Sequence, residues 1–211
     1  MPPGRKNSSK ERDMKRLYYD SSYIKTFTAA VTGCREGKKG LWEVTLDQTA
    51  FFPEGGGQPY DTGTLGEARV KAVHERGEEV IHYTDRPLTV GETVEGAIDW
   101  DRRFDNMQGH SGEHIITGCI HRRFGYDNVG FHMGSEEITI DFNGMITGEE
   151  LDEMEAEANE AIYRNLPVQI LTPTPEELKD MEYRSKKELT GQVRITVIPG
   201  VDDCACCGTH V

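Results

Sequence analysis

The chain has 211 residues, of which 36% are hydrophobic, and a formal net charge of -13 at pH 7. That length suffices for one large domain or two small ones with a buried core. No run of about 18 apolar residues occurs, so no membrane contact is expected, and the net acidity argues against a general nucleic-acid coat protein. Residues 1–16 lack the apolar segment of a signal peptide and are expected to form a disordered arm or a tag remnant.

Residues 17–100 have the pattern of a β domain. Apolar and polar residues alternate in short stretches that are separated by glycine or aspartate turns. The expected strands cover residues 23–31, 41–46, 67–73, 79–83 and 93–98. Short strands at such spacing, without alternation of strands and helices, are typical of a small barrel or sandwich.

A glycine-rich stretch interrupts this β pattern at residues 51–63, whose sequence is FFPEGGGQPYDTG. A wide turn is the simplest interpretation. However, two aromatic residues and a proline would hold the stretch in place, while three consecutive glycines expose backbone N–H groups and allow a substrate to come close. The stretch is therefore a candidate part of a functional site.

After residue 100 the pattern changes to a mixture of helices and strands. A helix is expected from residue 101 to about residue 124, followed by a loop at 128–134 and a strand at 137–142. Further elements are expected as a helix at 147–165, a strand at 167–171, a helix beginning at 174–177 and a strand at 193–198. This mixture predicts an α+β domain over residues 101–211.

The first of these helices carries His110 and His114. Residues four apart lie on the same face of a helix, so both imidazoles can reach one metal ion. Gly109, Gly112 and Gly118 lie in the same helix, where each costs about 1 kcal/mol relative to alanine. We therefore expect another backbone or a ligand to approach this helix closely.

A cysteine cluster follows the last expected strand. The chain has five cysteines, and their clustering suits metal chemistry in a reducing cytoplasm better than a disulfide framework. A mixed cysteine and histidine set suits Zn²⁺. The leading ligand set is His110, His114, Cys206 and His210, in which the second pair repeats the four-residue spacing of the first. A competing set pairs Cys204 and Cys207 with the two helix histidines, and spacing alone does not decide between them.

These motifs resemble those of a known family. HSGEH at residues 110–114 and CCGTHV at 206–211 are similar to the HxxxH and CxxxH motifs of the alanyl-tRNA synthetase editing domain and of the free-standing AlaX trans-editing proteins. FPEGGGQ at 52–58, followed by DTG at 61–63, resembles the glycine-rich motif of the medium and long AlaX forms. The family commonly has Cys-Gly-Gly-Thr-His where this chain has Cys207 in place of the first glycine, which leaves the sulfur ligand open.

The resemblance implies a small N-terminal β-barrel followed by an α+β editing domain with an antiparallel sheet and a zinc-bearing helix. It also implies a zinc-dependent, ATP-independent deacylase, whose substrate partner is tRNA for alanine mischarged with serine or glycine. The glycine-rich loop would then help to form the amino-acid pocket. A site that hydrogen-bonds a hydroxyl can reject an analogue that lacks it. The substrate-binding candidates are Gly56, Gly57, Gln58 and Thr139, and Glu113 is the candidate general base.

Two other functions remain open at this point. HxxEH, formed by His110, Glu113 and His114, also matches the inverzincin metallopeptidases, with Glu113 as the base and Glu188 as a third ligand. That hypothesis leaves the Cys206 to His210 motif unexplained. Alternatively, a closed set of four ligands would only join helix to strand, because a catalytic zinc ion normally keeps one coordination position open.

Overall fold

The computed structural model describes residues 14–185 and 192–211. The chain divides into two compact units. The first comprises the chain up to Phe51 and Thr62–Ile98, and the second comprises Phe52–Asp61 and Asp99–Val211. Residues 1–13 of the expected disordered arm lie outside the described residues, whereas Lys15–Arg16 form a short strand. None of the described helices is long and apolar enough to cross a membrane.

The first unit is built almost entirely of strands. Its elements are β1 (Lys15–Arg16), α1 (Leu17–Asp20), β2 (Thr26–Glu36), β3 (Trp42–Leu46), β4 (Gln48–Thr49), β5 (Gly63–Leu65), β6 (Ala68–Arg76), β7 (Glu79–Thr84) and β8 (Thr93–Ile98). Six of the strands form a closed barrel in the order β2-β3-β7-β6-β5-β8, and all of its pairs are antiparallel. The strand β1 pairs with β4 in parallel.

A histidine lies in the interior of this unit. In β7 the consecutive residues Val80, Ile81 and His82 are all buried. Because successive side chains of a strand point to opposite faces, both faces of β7 are covered at this point. The ring of His82 is held at both nitrogens: Nε2 lies 2.8 Å from Thr49 Oγ1, and Nδ1 lies 3.1 Å from the carbonyl oxygen of Val44. Burial lowers the pKa of His82 to about 4, so the ring is neutral at pH 7.

The second unit mixes helices with two small antiparallel sheets. Its elements are α2 (Trp100–Phe124), β9 (Asn128–Met133), β10 (Ile138–Phe142), α3 (Gly148–Tyr163), β11 (Gln169–Leu171), α4 (Pro175–Leu178), β12 (Ile195–Ile198) and β13 (Asp202–Ala205). β9 pairs with β10, and β11-β12-β13 form a three-stranded sheet. The α+β class and the mostly antiparallel pairing are therefore confirmed. The loop expected at residues 128–134 is wrong, because most of it is the strand β9.

Local signals define the two long helices. α2 ends where Gly125 adopts a left-handed conformation with φ of 72°, and α3 begins with a capping box between Thr147 and Glu150. Cys119 and Ile120 of α2 pack with Met154 of α3 in a buried cluster. This contact fixes the C-terminal half of α2, while the middle of the helix contacts the segment that follows β13.

Candidate metal centre

Three histidines and a cysteine meet in the second unit. His110 and His114 lie on one face of α2 with their ring centroids 5.3 Å apart. The chain leaving β13 brings Cys206 and His210 to the same face. One ligand atom from each of the four residues lies within 4.8 Å of the others, and the three histidines are buried. The structure thus brings together the residues of the leading ligand set.

Close approach explains two of the three helix glycines. A Cβ atom on Gly118 would overlap the carbonyl oxygen of Val201, just before β13, and one on Gly109 would lie 2.6 Å from Ile138 Cδ1. Near Gly112 no atom of the described residues lies within 4 Å of the Cβ position. Gly109 and Gly118 therefore allow other segments of the protein to pack directly against α2, as expected from their cost to the helix.

In His110 and His210, ring Nδ1 contacts an uncharged side chain. His110 Nδ1 lies 2.9 Å from Gln58 Oε1, and His110 Nε2 lies 3.5 Å from Cys206 Sγ. His210 Nδ1 lies 3.2 Å from Ser111 Oγ. His210 Nε2 is buried and has no hydrogen-bond partner among the residues that the structure describes. A buried nitrogen without a hydrogen-bond partner is costly unless it binds another group, so His210 Nε2 is a candidate metal donor.

The third histidine is held by a carboxylate. His114 Nδ1 lies 2.9 Å from Asp202 Oδ2, and the Arg184 guanidinium donates to both Asp202 oxygens at 2.7 and 2.8 Å. Burial opposes ionisation of Asp202, but the hydrogen bonds from His114 and Arg184 outweigh it and lower the pKa of this carboxyl. Such a carboxylate–histidine pair orients an imidazole toward a metal ion. Sequence reasoning missed both Asp202 and Arg184, since neither belongs to a spaced motif.

Burial also sets the protonation states of the candidate ligands. It lowers the pKa of His210 well below the usual value, and the neighbouring His110 and His114 add to this effect. Burial raises the pKa of the Cys206 thiol to about 12, although the Gly208 N–H, 3.3 Å from the sulfur, opposes the shift. Neutral imidazoles are the form that binds metal, and a coordinated thiol loses its proton to the ion.

The glycine-rich loop belongs to the second unit. The loop lies within residues 17–100, the range of the expected β domain, but the contacts of residues 52–61 group it with the second unit. Gln58 is fully buried, and its amide contacts His110 and Thr209. Gly57 has φ of 87°, and a Cβ atom there would lie 2.9 Å from Phe131 Cε1. Phe131 in turn stacks on His110, with 5.4 Å between ring centroids.

A buried ion pair joins the end of this loop to α2. Arg103 Nε lies 2.9 and 3.0 Å from the two oxygens of Asp61, its Nη2 also donates to Asp61, and both side chains are 0% exposed. Asp61 Oδ2 accepts a hydrogen bond from the Phe52 N–H at 2.6 Å, and the Asp61 N–H donates to the Phe52 carbonyl. The loop is therefore closed at its base and attached to the helix that carries the histidines.

Glu113 lies at the edge of the cluster. Its Oε1 accepts hydrogen bonds from Asn128 Nδ2 at 2.5 Å and from Thr117 Oγ1 at 3.0 Å. Its Oε2 lies 3.9 Å from His114 Nε2, the ring nitrogen that Asp202 does not occupy. The carboxylate is thus buried and fixed in orientation beside a candidate ligand. This geometry is compatible with a proton acceptor at the site.

The remaining candidates lie elsewhere. Thr139 is exposed on β10, opposite His132, outside the buried cluster. Cys204 is buried and forms a second group with His114 and Asp202, on the Nδ1 side of the His114 ring. Cys207 is exposed. Glu188, the third ligand of the peptidase hypothesis, lies outside the described residues.

Comparison with known proteins gives a consistent family. Residues 6–102 match the family model described as tRNA synthetases class II (A). The chain is 36% identical over 206 residues to the alanyl-tRNA editing protein Aarsd1 of Bos taurus, covering 90% of this chain and 46% of that protein. It is 32% identical over 207 residues to the alanyl-tRNA editing protein AlaX-L of Pyrococcus horikoshii, covering 94% of this chain and 51% of that protein.

A synthetase is also similar. The alanine–tRNA ligase of Thermococcus kodakarensis is 37% identical over 213 residues, which cover 94% of this chain and 23% of the ligase. The chain spans about half the length of the curated editing proteins that it matches. Over nearly all of its own length, the chain belongs to the family of alanyl-tRNA editing proteins.

Proposed function

We propose that the chain carries out trans-editing: it hydrolyses the ester bond of Ser-tRNA(Ala), Gly-tRNA(Ala) or both, in the cytoplasm and without ATP. The observation that carries this proposal is the cluster formed by His110, His114, Cys206 and His210, which contacts the glycine-rich loop through Gln58. The names of the relatives support it, because Aarsd1 and AlaX-L are both called alanyl-tRNA editing proteins. A mischarged tRNA is accordingly the proposed substrate partner.

Zinc is the metal that these donors fit. Three imidazole nitrogens and one thiol form a borderline-soft donor set within the reach of a single ion. Of these donors, His210 Nε2 is buried and has no hydrogen-bond partner in the described part of the chain, so a metal ion would satisfy it. We propose that His110, His114, Cys206 and His210 hold it. When bound, zinc polarises a carbonyl or lowers the pKa of a coordinated water molecule to about 7.

Protein groups would orient the reacting atoms. Glu113 is the proposed general base, since Asn128 and Thr117 fix one carboxylate oxygen while the other lies near the cluster. Gly56 and Gly57 are proposed to bind the aminoacyl ester through backbone N–H groups of the loop, because Phe131 already fills the space beside Gly57 that a side chain would take. Thr139 is retained as a substrate-binding candidate, on the strand beside β9.

Selectivity requires a polar group that can pair with serine. A pocket gains little by rejecting one methyl group, but an unpaired buried acceptor discriminates strongly in favour of a ligand that supplies a donor. Asn128 Oδ1 is such an atom: it is buried and has no hydrogen-bond partner among the described residues. We therefore propose that it accepts a hydrogen bond from the hydroxyl group of a mischarged serine.

The alternatives explain fewer contacts. The peptidase hypothesis uses His110, Glu113 and His114 but gives no role to Cys206 and His210, which meet the same cluster. The non-catalytic hypothesis accounts for four ligands, but not for Asn128 Oδ1, which is buried beside Glu113 and lacks a hydrogen-bond partner within residues 14–185 and 192–211.

A substrate comparison tests the proposal. The zinc-loaded chain is incubated with tRNA(Ala) carrying serine, glycine or alanine, and release of each amino acid is measured against buffer. We expect serine or glycine to be released faster than alanine. No release above buffer, together with a peptidase activity that Glu113→Gln abolishes and Cys206→Ala does not, would support the peptidase hypothesis instead.

A further inference from the structure

Both polar atoms of the Gln58 side chain already contact groups of the protein. This side chain is fully buried. Its Oε1 lies 3.0 Å from the backbone N–H of Thr209 and 2.9 Å from His110 Nδ1, and its Nε2 donates to Thr209 Oγ1 at 2.7 Å. For the expected role of this residue in the amino-acid pocket, these contacts leave the second N–H of the amide.

The amide orientation of Gln58 follows from its neighbours. A backbone N–H can only donate, so the atom facing Thr209 N must be the amide oxygen. The same oxygen faces His110 Nδ1. That nitrogen must then carry a proton, because two acceptors cannot form a hydrogen bond with each other. In a neutral imidazole this leaves the lone pair on Nε2, the nitrogen 3.5 Å from Cys206 Sγ.

Two neighbouring parts of the second unit fix the position of Gln58. On one side, the loop is closed at its base and joined to α2 by the buried pair of Asp61 and Arg103. On the other, Gly208 lies so close that an added Cβ atom would be 3.0 Å from Gln58 Oε1. The acceptor is therefore held in place before any ligand binds.

We propose that Gln58 is a positioning residue, which holds His110 in the Nδ1–H tautomer and so presents its Nε2 lone pair to the metal. The proposal rests on the function proposed above. The glycine-rich loop would then have a second role besides binding substrate, because its Gln58 orients a metal ligand through the His110 nitrogen that faces away from Cys206. Asp202 does the same for His114, with a carboxylate in place of an amide.

Two measurements on the full chain test this role. The first is long-range ¹H–¹⁵N NMR of the metal-free protein, which reports the nitrogen that carries the proton in His110. The second is the Zn²⁺ dissociation constant, measured by competition with a chromophoric chelator. The variants are Gln58→Met, which removes the acceptor, and Gln58→Glu, which keeps it. Gln108→Met is the matched control, because Gln108 is exposed on α2.

We expect His110 to carry its proton on Nδ1 in the wild-type chain and to lose this preference in Gln58→Met. Zinc binding should weaken by about 10–100-fold in Gln58→Met. It should stay at least as tight as wild type in Gln58→Glu, whose carboxylate can accept from both His110 and Thr209, and Gln108→Met should change nothing.

A wild-type His110 protonated on Nε2 would overturn the proposal, and this measurement stands even if Gln58→Met fails to fold. Unchanged zinc affinity in a folded Gln58→Met would also overturn it. Either result leaves the proposed function intact, provided that the wild-type chain still releases serine or glycine. A wild-type chain that binds zinc but releases neither would instead reject the proposed function.

Discussion

The buried pair of Asp61 and Arg103 should be a large single contribution to the stability of the second unit. Asp61→Asn keeps the shape of the side chain but removes the negative charge from its fully buried ion pair with Arg103. Loss of one partner of a buried pair costs about 3–5 kcal/mol. We expect a decrease of that size in the free energy of unfolding of the second unit.

Urea unfolding followed by tryptophan fluorescence measures this cost. Trp100 lies in the second unit and Trp42 in the first, so a Trp42→Phe background makes the signal report the second unit alone. Glu153→Gln is the matched control, since the pair of Glu153 with Arg123 is exposed and exposed pairs contribute about 0–1 kcal/mol. Equal and small losses in Asp61→Asn and Glu153→Gln would refute the reasoning.

Two further perturbations have expected outcomes. The pKa of His82 is about 4 in the folded chain and 6.5 in the unfolded one, so protonation destabilises the fold as the pH falls from 6.5 toward 4. Urea unfolding should show that the free energy of unfolding of the first unit decreases by about 3 kcal/mol over this pH range. In His82→Gln this free energy should depend less on pH over the same range. In Gly57→Ala the new methyl group would overlap Phe131, whereas Gly125→Ala has the same positive φ but open space around the methyl group. We expect Gly57→Ala to lower the free energy of unfolding of the second unit by about 1–3 kcal/mol more than Gly125→Ala. Equal decreases in the two variants would contradict this.

The helix that carries the two candidate histidine ligands was predictable because its geometry is local. Residues four apart share a helix face in any sequence, so the placement of His110 beside His114 follows from spacing alone. The meeting of that face with Cys206 and His210 was predicted from ligand chemistry and from family resemblance, and the structure brings these residues together. Their role as ligands stays a prediction.

Other features depend on contacts distant in sequence. The strand β9 contains Gly130 and is followed directly by Gly134, and its apolar and polar residues alternate only weakly. It therefore forms because it pairs with β10, and not because of its own sequence pattern. In the same way, nothing local indicates that Gln58 faces His110, 52 positions away, or that Asp202 faces His114. Side chains that orient candidate ligands are fixed by tertiary structure, which single-sequence patterns do not encode.

The central claim is that the cluster of three histidines and one cysteine carries the hydrolysis, and two adjacent cysteines test it. Cys206 belongs to the cluster, whereas Cys207 is exposed. The measurement is the rate of serine release from Ser-tRNA(Ala) by zinc-loaded Cys206→Ala and Cys207→Ala, beside the wild-type chain. The account predicts that Cys206→Ala abolishes release while Cys207→Ala retains it; release that survives Cys206→Ala and is lost in Cys207→Ala would contradict it.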